Sequence, residues 1–128
     1  MTSRFTEINV DCHHPRQLAE FWYAVLAYRV IEEQDDVVEI ASWGASVEAI
    51  REGPVAPTLV FAPVPESKTV KNRLHIDVSP IDRDQDEEVR RLLELGARHV
   101  DVGQGEQSWV VLADPEGNEF CVLRSLRP

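Results

Sequence analysis

Cysteine is scarce in this chain: Cys12 and Cys121 are the only two among 128 residues. Two thiols cannot staple a small secreted domain, so both read as reduced, semi-buried side chains. Positive charge is also in deficit, with 13 Lys and Arg against 23 Asp and Glu, for a net charge of −10. A surface that acidic repels phosphate backbones and anionic lipid, which argues against nucleic acid and membrane partners. It leaves the charge inside any pocket open. No apolar run approaches the roughly 20 residues needed to cross a bilayer. The opening stretch MTSRFTEINVDC holds no apolar signal core before a strand pattern begins, so the expected location is the cytoplasm. There is no G-x-S-x-G or other nucleophile arrangement. Gly103-Gln104-Gly105 follows a strand but opens no helix, and it reads as a hairpin turn rather than a phosphate loop.

What is present suits one packed domain: 43% of residues are hydrophobic and 28% charged. Residues 4–11 alternate, with Phe5, Ile8 and Val10 set against Glu7, Asn9 and Asp11, the pattern of a strand with two unlike faces. Pro15 opens a helix whose Leu18, Phe21, Trp22, Val25 and Leu26 form one apolar stripe. His14-Pro15 is read as the start of that helix, and His13-His14 as part of the turn before it, not as a metal site. Strands are predicted over 28–33, 37–42 and 58–64, with a turn at Asp35-Asp36. Residues 46–52 fit either an extension of a strand or a loop.

A proline-rich polar link at 65–72 separates modules at about 3–64 and 73–125. The second module repeats the first, with a two-faced strand at 73–79, a helix at 84–95 ended by Gly96, and strands at 98–102, 108–113 and 119–124. Asp84, Asp86, Glu87 and Glu88 crowd the first turn of that helix, where its dipole favours negative charge, and read as a solvated face. The order is βαβββ twice. Glu7-Ile8-Asn9-Val10 lies 68 positions before His75-Ile76-Asp77-Val78, and Leu26-Ala27-Tyr28-Arg29 follows its helix as Leu95-Gly96-Ala97-Arg98 follows the other.

Four stretches, VDCHHPRQLAEFWYAVLAYRV (10–30), VPESKTVKNRLHIDVSP (64–80), LLELGARHV (92–100) and DPEGNEFCVL (114–123), together resemble the vicinal oxygen chelate superfamily. That group takes in glyoxalase I, extradiol dioxygenases, fosfomycin-resistance enzymes and bleomycin-binding proteins. The resemblance implies an α+β fold in which two βαβββ modules form one curved, mixed eight-stranded sheet with helices on the outer face. It also implies a ligand site between the modules and a homodimer.

In metal-dependent members of the superfamily, four central strands each supply one ligand. By the motif match those positions fall on Glu7, on the donor-free run Leu59-Val60-Phe61-Ala62, on His75 and on Cys121. The chelate is therefore incomplete. Glu7, His75 and Cys121 make a three-ligand zinc site at most, because a thiolate suits zinc better than magnesium, manganese or nickel.

The primary expectation is a cleft that binds a small aromatic or polyoxygenated metabolite without a complete chelate. Glu7, Asn9, His75 and Asp77 would form its polar patch, with Glu7 and His75 as acid–base candidates. Phe61, Trp109 and Cys121 would form its wall. Trp22 is read as core, and Trp43 as a residue at the entrance. Two alternatives stand beside this. One is a metal-dependent lyase, isomerase or dioxygenase using zinc, iron, nickel or manganese at Glu7 and His75, with Cys121. The other is an antibiotic-sequestering protein of the bleomycin-binding type, for which a cationic drug would suit the acidic surface.

Overall fold

In the computed structural model, which describes residues 2–126, the chain divides into two compact units between Ser67 and Lys68.

The first unit runs β1 (Glu7–Cys12), α1 (Pro15–Leu26), β2 (Arg29–Gln34), β3 (Val37–Ala41), α2 (Val47–Glu52) and β4 (Thr58–Pro63). Its sheet has the order β1-β4-β3-β2, with β1 parallel to β4 and the other pairs antiparallel. Pro15 sits in the first turn of α1, where its missing N–H costs nothing, and Leu18 N donates to His14 O at 3.0 Å. Asp35 and Asp36 take positive φ (53° and 66°) and close the β2–β3 hairpin as the sequence predicts.

Register sorts the sheet's two faces. Ile8, Leu59 and Ile40 form one row and Val10, Phe61 and Val38 another on the same side. Buried Leu59, Phe61, Ile40 and Val38 make a core with Leu18, Phe21 and Trp22 of α1, which packs on β3 and β4. Glu7, Asn9 and Asp11 are exposed on the opposite face of β1.

Residues 47–52 form a helix, not a strand extension or a loop. The local signals are small but agree: Ser46 Oγ accepts from Ala49 N at 3.0 Å, Glu48 lies in the first turn and Arg51 in the last.

The second unit runs β5 (Ile76–Val78), α3 (Gln85–Leu95), β6 (Arg98–His99), β7 (Val110–Ala113) and β8 (Glu119–Val122), with sheet order β5-β8-β7-β6. Again the first and last strands are parallel neighbours. Leu112, Phe120 and Val122 are fully buried or nearly so, as are Val89 and Leu92 of α3. All four strands are shorter than the sequence suggests. Past the Val100 N to Val111 O bond of 3.4 Å, the backbone between β6 and β7 bonds to side chains: Gly103 N donates to Asp101 Oδ1 (2.8 Å) and Val102 N to Gln104 Oε1 (2.9 Å). Gly103-Gln104-Gly105 is thus part of a loop over 100–109, not a tight hairpin turn.

Asp84 caps α3 by accepting from Glu87 N at 2.8 Å, and Gly96 ends it with φ 122°. The acidic first turn is not wholly solvated. Glu88 is buried, and Arg91 clasps it through two bonds of 2.8 and 2.9 Å. Among the described residues no helix is long and apolar enough to cross a membrane.

Candidate functional site

The open face of the second sheet is set by strand alternation. Asp77 on β5, Cys121 on β8 and Val111 on β7 pair laterally, so their side chains share one side. His75 lies two residues before Asp77, Glu119 and Leu123 flank Cys121 at the same spacing, and Trp109 lies two before Val111. These seven residues, with Lys71 and Val102, line one cavity of about 270 Å³. Val102, Trp109, Val111 and Leu123 give it an apolar wall. Its polar groups are Lys71, His75, Asp77, Glu119 and Cys121.

At the polar end, His75 Nε2 stands 3.3 Å from Asp77 Oδ1. Donor atoms of His75, Asp77 and Cys121 all lie within 4.8 Å of one another. Cys121 is 7% exposed. Burial foremost, and then the charge and hydrogen bond of Asp77, push its thiol above the ordinary value of 9.0, with Lys71 opposing. The thiol is therefore protonated near neutrality and is not a ready nucleophile in the absence of a cation.

Glu119 has a different setting. Its side chain is 11% exposed and accepts from Lys68 Nζ at 2.7 Å and from Asn72 N at 3.0 Å. Burial works against its charge, but these bonds outweigh burial and hold the carboxyl below its ordinary value of 4.5. Asn72 Nδ2 also donates to Asn118 Oδ1 at 2.9 Å. The link segment 68–72 is thus tied to the start of β8, which brings Lys71 to the cavity rim just before His75.

The turn leading into β8 is built around Asp114, only 1% exposed. Its Oδ1 accepts from Glu116 N and Asn118 N at 2.9 and 3.0 Å, and Gly117 takes φ 89°. The Asp-Pro-Glu-Gly-Asn run is therefore structural, and it aims β8.

Of the residues singled out in the sequence, the structure brings His75, Asp77, Trp109 and Cys121 to one cavity. Trp109 is a wall residue, 37% exposed. Glu7 and Asn9 lie on the exposed face of the first unit's sheet. Phe61 is a correction: it is 0% exposed and pairs with Val10 and Val38 on the core side, while Val60 takes the side of Asn9. An unbroken apolar run hides which parity faces inward. Trp22 is core as expected, and exposed Trp43 lies under the guanidinium of Arg29 at 5.4 Å. Sequence reasoning missed Lys71, Asn72 and Glu119. Alternation from Cys121 could have placed Glu119, but nothing in the link announced the other two.

The donor set tests whether a metal fits. The 59–62 run offers no ligand, as expected, and Glu7 belongs to the first unit. In the second unit Asp77 takes the third place the sequence reading gave to Glu7, making one nitrogen, one oxygen and one sulfur donor. Such a mixed set fits a borderline-soft divalent cation.

The family model for a glyoxalase-like domain matches residues 7–123. No curated protein matches the sequence. Among solved structures, a glyoxalase/bleomycin resistance protein/dioxygenase family enzyme from Burkholderia phytofirmans aligns over 94% of this chain and 97% of its own, at 16% identity and a TM-score of 0.66. The fosfomycin resistance protein FosX from Listeria monocytogenes, complexed with Mn(II) and sulfate, aligns over 98% and 93% at 15% identity, with a TM-score of 0.68. FosX from Mesorhizobium loti gives 98%, 94%, 13% and 0.67. At these identities the likeness is one of fold, and it agrees with the doubled parallel pairing of first and last strands. On the family model, which spans nearly the whole sequence, the chain belongs to the glyoxalase-like domain family.

Proposed function

We propose that the cavity of the second unit binds a small metabolite with a flat aromatic or conjugated part and one or more oxygen functions. The observation that carries this reading is the meeting of Trp109 and three aliphatic walls with His75, Asp77 and Cys121 in one hollow. At about 270 Å³ it lies just under the roughly 300–1,000 Å³ of sites for drug-sized ligands, which points to a small one. Trp109 offers a face for stacking, worth about 0.5–1.5 kcal/mol beyond its area. His75 offers a donor or acceptor, oriented by Asp77, and Lys71 a positive charge at the rim.

The test is a titration with hydroxylated aromatic acids and small polyols, followed by backbone amide NMR shifts. The expected result is shifts confined to the cavity residues for at least one compound, with affinity lowered about tenfold in Trp109→Ala. Shifts elsewhere only, or none, would end the proposal.

A second reading has its own observation, the convergence of three donors: a metal-assisted lyase, isomerase or dioxygenase. A bound cation there would supply Lewis-acid stabilisation to an oxygen substrate. The protein's own part would be to hold that substrate against Trp109 and to hold or move a proton at His75. Turnover that needs metal and is lost in His75→Ala favours this reading over binding alone.

A further inference from the structure

The manganese seen in a FosX neighbour invites the expectation of a hard-metal site, and the donors here disagree with it. We infer that His75, Asp77 and Cys121 bind one thiophilic divalent cation, zinc foremost, at a site built wholly from the second unit. The inference deepens the metal-assisted reading and rests on it for any catalytic meaning, while cation binding itself is measured without substrate.

The geometry is close to what a tetrahedral cation requires. Bonds of about 2.0–2.3 Å place neighbouring ligand atoms roughly 3.3–3.8 Å apart. His75 Nε2 and Asp77 Oδ1 already stand at 3.3 Å, and the widest separation in the trio is within 4.8 Å. Closing the set therefore takes a movement of about 1 Å. The side chains of His75 and Asp77, 41% and 46% exposed, have room to make it. Cys121 is fixed, because β8 is flanked by β5 on one side and β7 on the other.

Charge agrees as well. A thiolate and a carboxylate together neutralise a dication, and Cys121 releases its proton to solvent as the sulfur–metal bond forms. Three protein ligands leave a fourth position, and the donors stand on the wall of the cavity, where a small oxygen ligand has access. The sulfur sets the preference, since thiolate favours zinc and cobalt over manganese and magnesium.

The experiment uses the full chain, freed of metal by chelation under reducing conditions. It is titrated with cobalt(II) alone, then with zinc(II) and with manganese(II) as competitors. A thiolate-to-cobalt charge-transfer band that one equivalent of zinc removes, and an equal concentration of manganese does not, is expected. The band should vanish in Cys121→Ser and persist in Cys12→Ser. His75→Ala and Asp77→Asn should weaken zinc binding by about tenfold or more, while Glu7→Gln should leave it unchanged. Circular dichroism checks that each variant is folded. Zinc protection of Cys121 from alkylation, read by mass spectrometry in the unaltered protein, keeps the inference testable if Cys121→Ser does not fold.

No band and no protection would overturn the inference, as would a band that follows Cys12, or manganese displacing cobalt as well as zinc does. Loss of affinity in Glu7→Gln equal to that in Asp77→Asn would also overturn it, because the site would not belong to the second unit alone. Metabolite binding without zinc binding sinks this inference and spares the pocket. Zinc binding without turnover spares the inference and removes the catalytic reading.

Discussion

The two units place different chemistry on the same scaffold. In each, the first strand runs parallel to the last, so one row of side chains crosses from strand to strand. In the first unit Asn9 pairs with Val60, and Val60 with Glu39. In the second, Asp77 pairs with Cys121, and Cys121 with Val111. Glu7 and His75 stand two residues earlier at matching places. The first unit thus offers acids around an aliphatic centre, and the second offers a mixed donor set beside an apolar wall. The same strand pairing thus recurs in both units. Among the described residues, the second unit alone gathers a nitrogen, an oxygen and a sulfur donor within 4.8 Å of one another.

The sharpest break in the comparison is Phe61→Ala. Because Phe61 lies in the first unit's core, its loss should destabilise the chain by about 3–5 kcal/mol in a urea melt while sparing ligand affinity at the second unit. A wall residue would give the opposite split.

Glu119→Gln should cost about 1.5–3 kcal/mol by weakening the charge-assisted bonds from Lys68 and Asn72. The sign with pH follows from a folded value held below 4.5. The contribution is complete above that ordinary value and is lost as the pH falls through the lower folded one. Stability of the parent chain should therefore fall more steeply on acidification than that of the variant, as followed by denaturant midpoints from pH 6 to about pH 3.

Asp77→Asn should change reactivity more than stability. Removing the negative charge and its hydrogen bond lowers the Cys121 thiol towards its ordinary value. Alkylation at fixed pH should then quicken severalfold at Cys121, with Cys12 as the internal reference by mass spectrometry.

The smallest effect sharpens the comparison instead of breaking it. Ala27 and Gly96 end equivalent helices with φ of 57° and 122°. Only Gly96 is free of the side-chain penalty there, so Ala27→Gly should raise stability by about 0.5–1 kcal/mol in a thermal melt.

The sequence made legible whatever repeats with a period. Alternation gave the two-faced first strands, apolar spacing gave α1 and α3, and the offset between Glu7 and His75 gave the doubled module. It also set His75 and Asp77 on one side. The run Leu59–Ala62 has no polar residue to mark its outer face, so the parity of Phe61 was hidden. The α2 helix is a single short segment whose cap is its main signal. Lys71 reaches the site because Glu119 and Asn118 hold its neighbour Asn72, a tertiary arrangement that leaves no trace in local pattern. Asp77 was legible as a polar neighbour of His75. Its place in a donor set with Cys121 depended on the pairing register.

The clamp of Lys68 and Asn72 on Glu119 also decides how the chain can be divided. A cut between Ser67 and Lys68 would leave every group around the hollow, from Lys71 to Leu123, on a single fragment, together with the salt bridge that fastens its leading segment. Split-protein reporters or domain insertions placed at that peptide bond would keep all the groups that line the hollow on one partner. A cut between Lys68 and Lys71 would instead part Lys68 from Glu119 and leave the leading segment held by Asn72 alone.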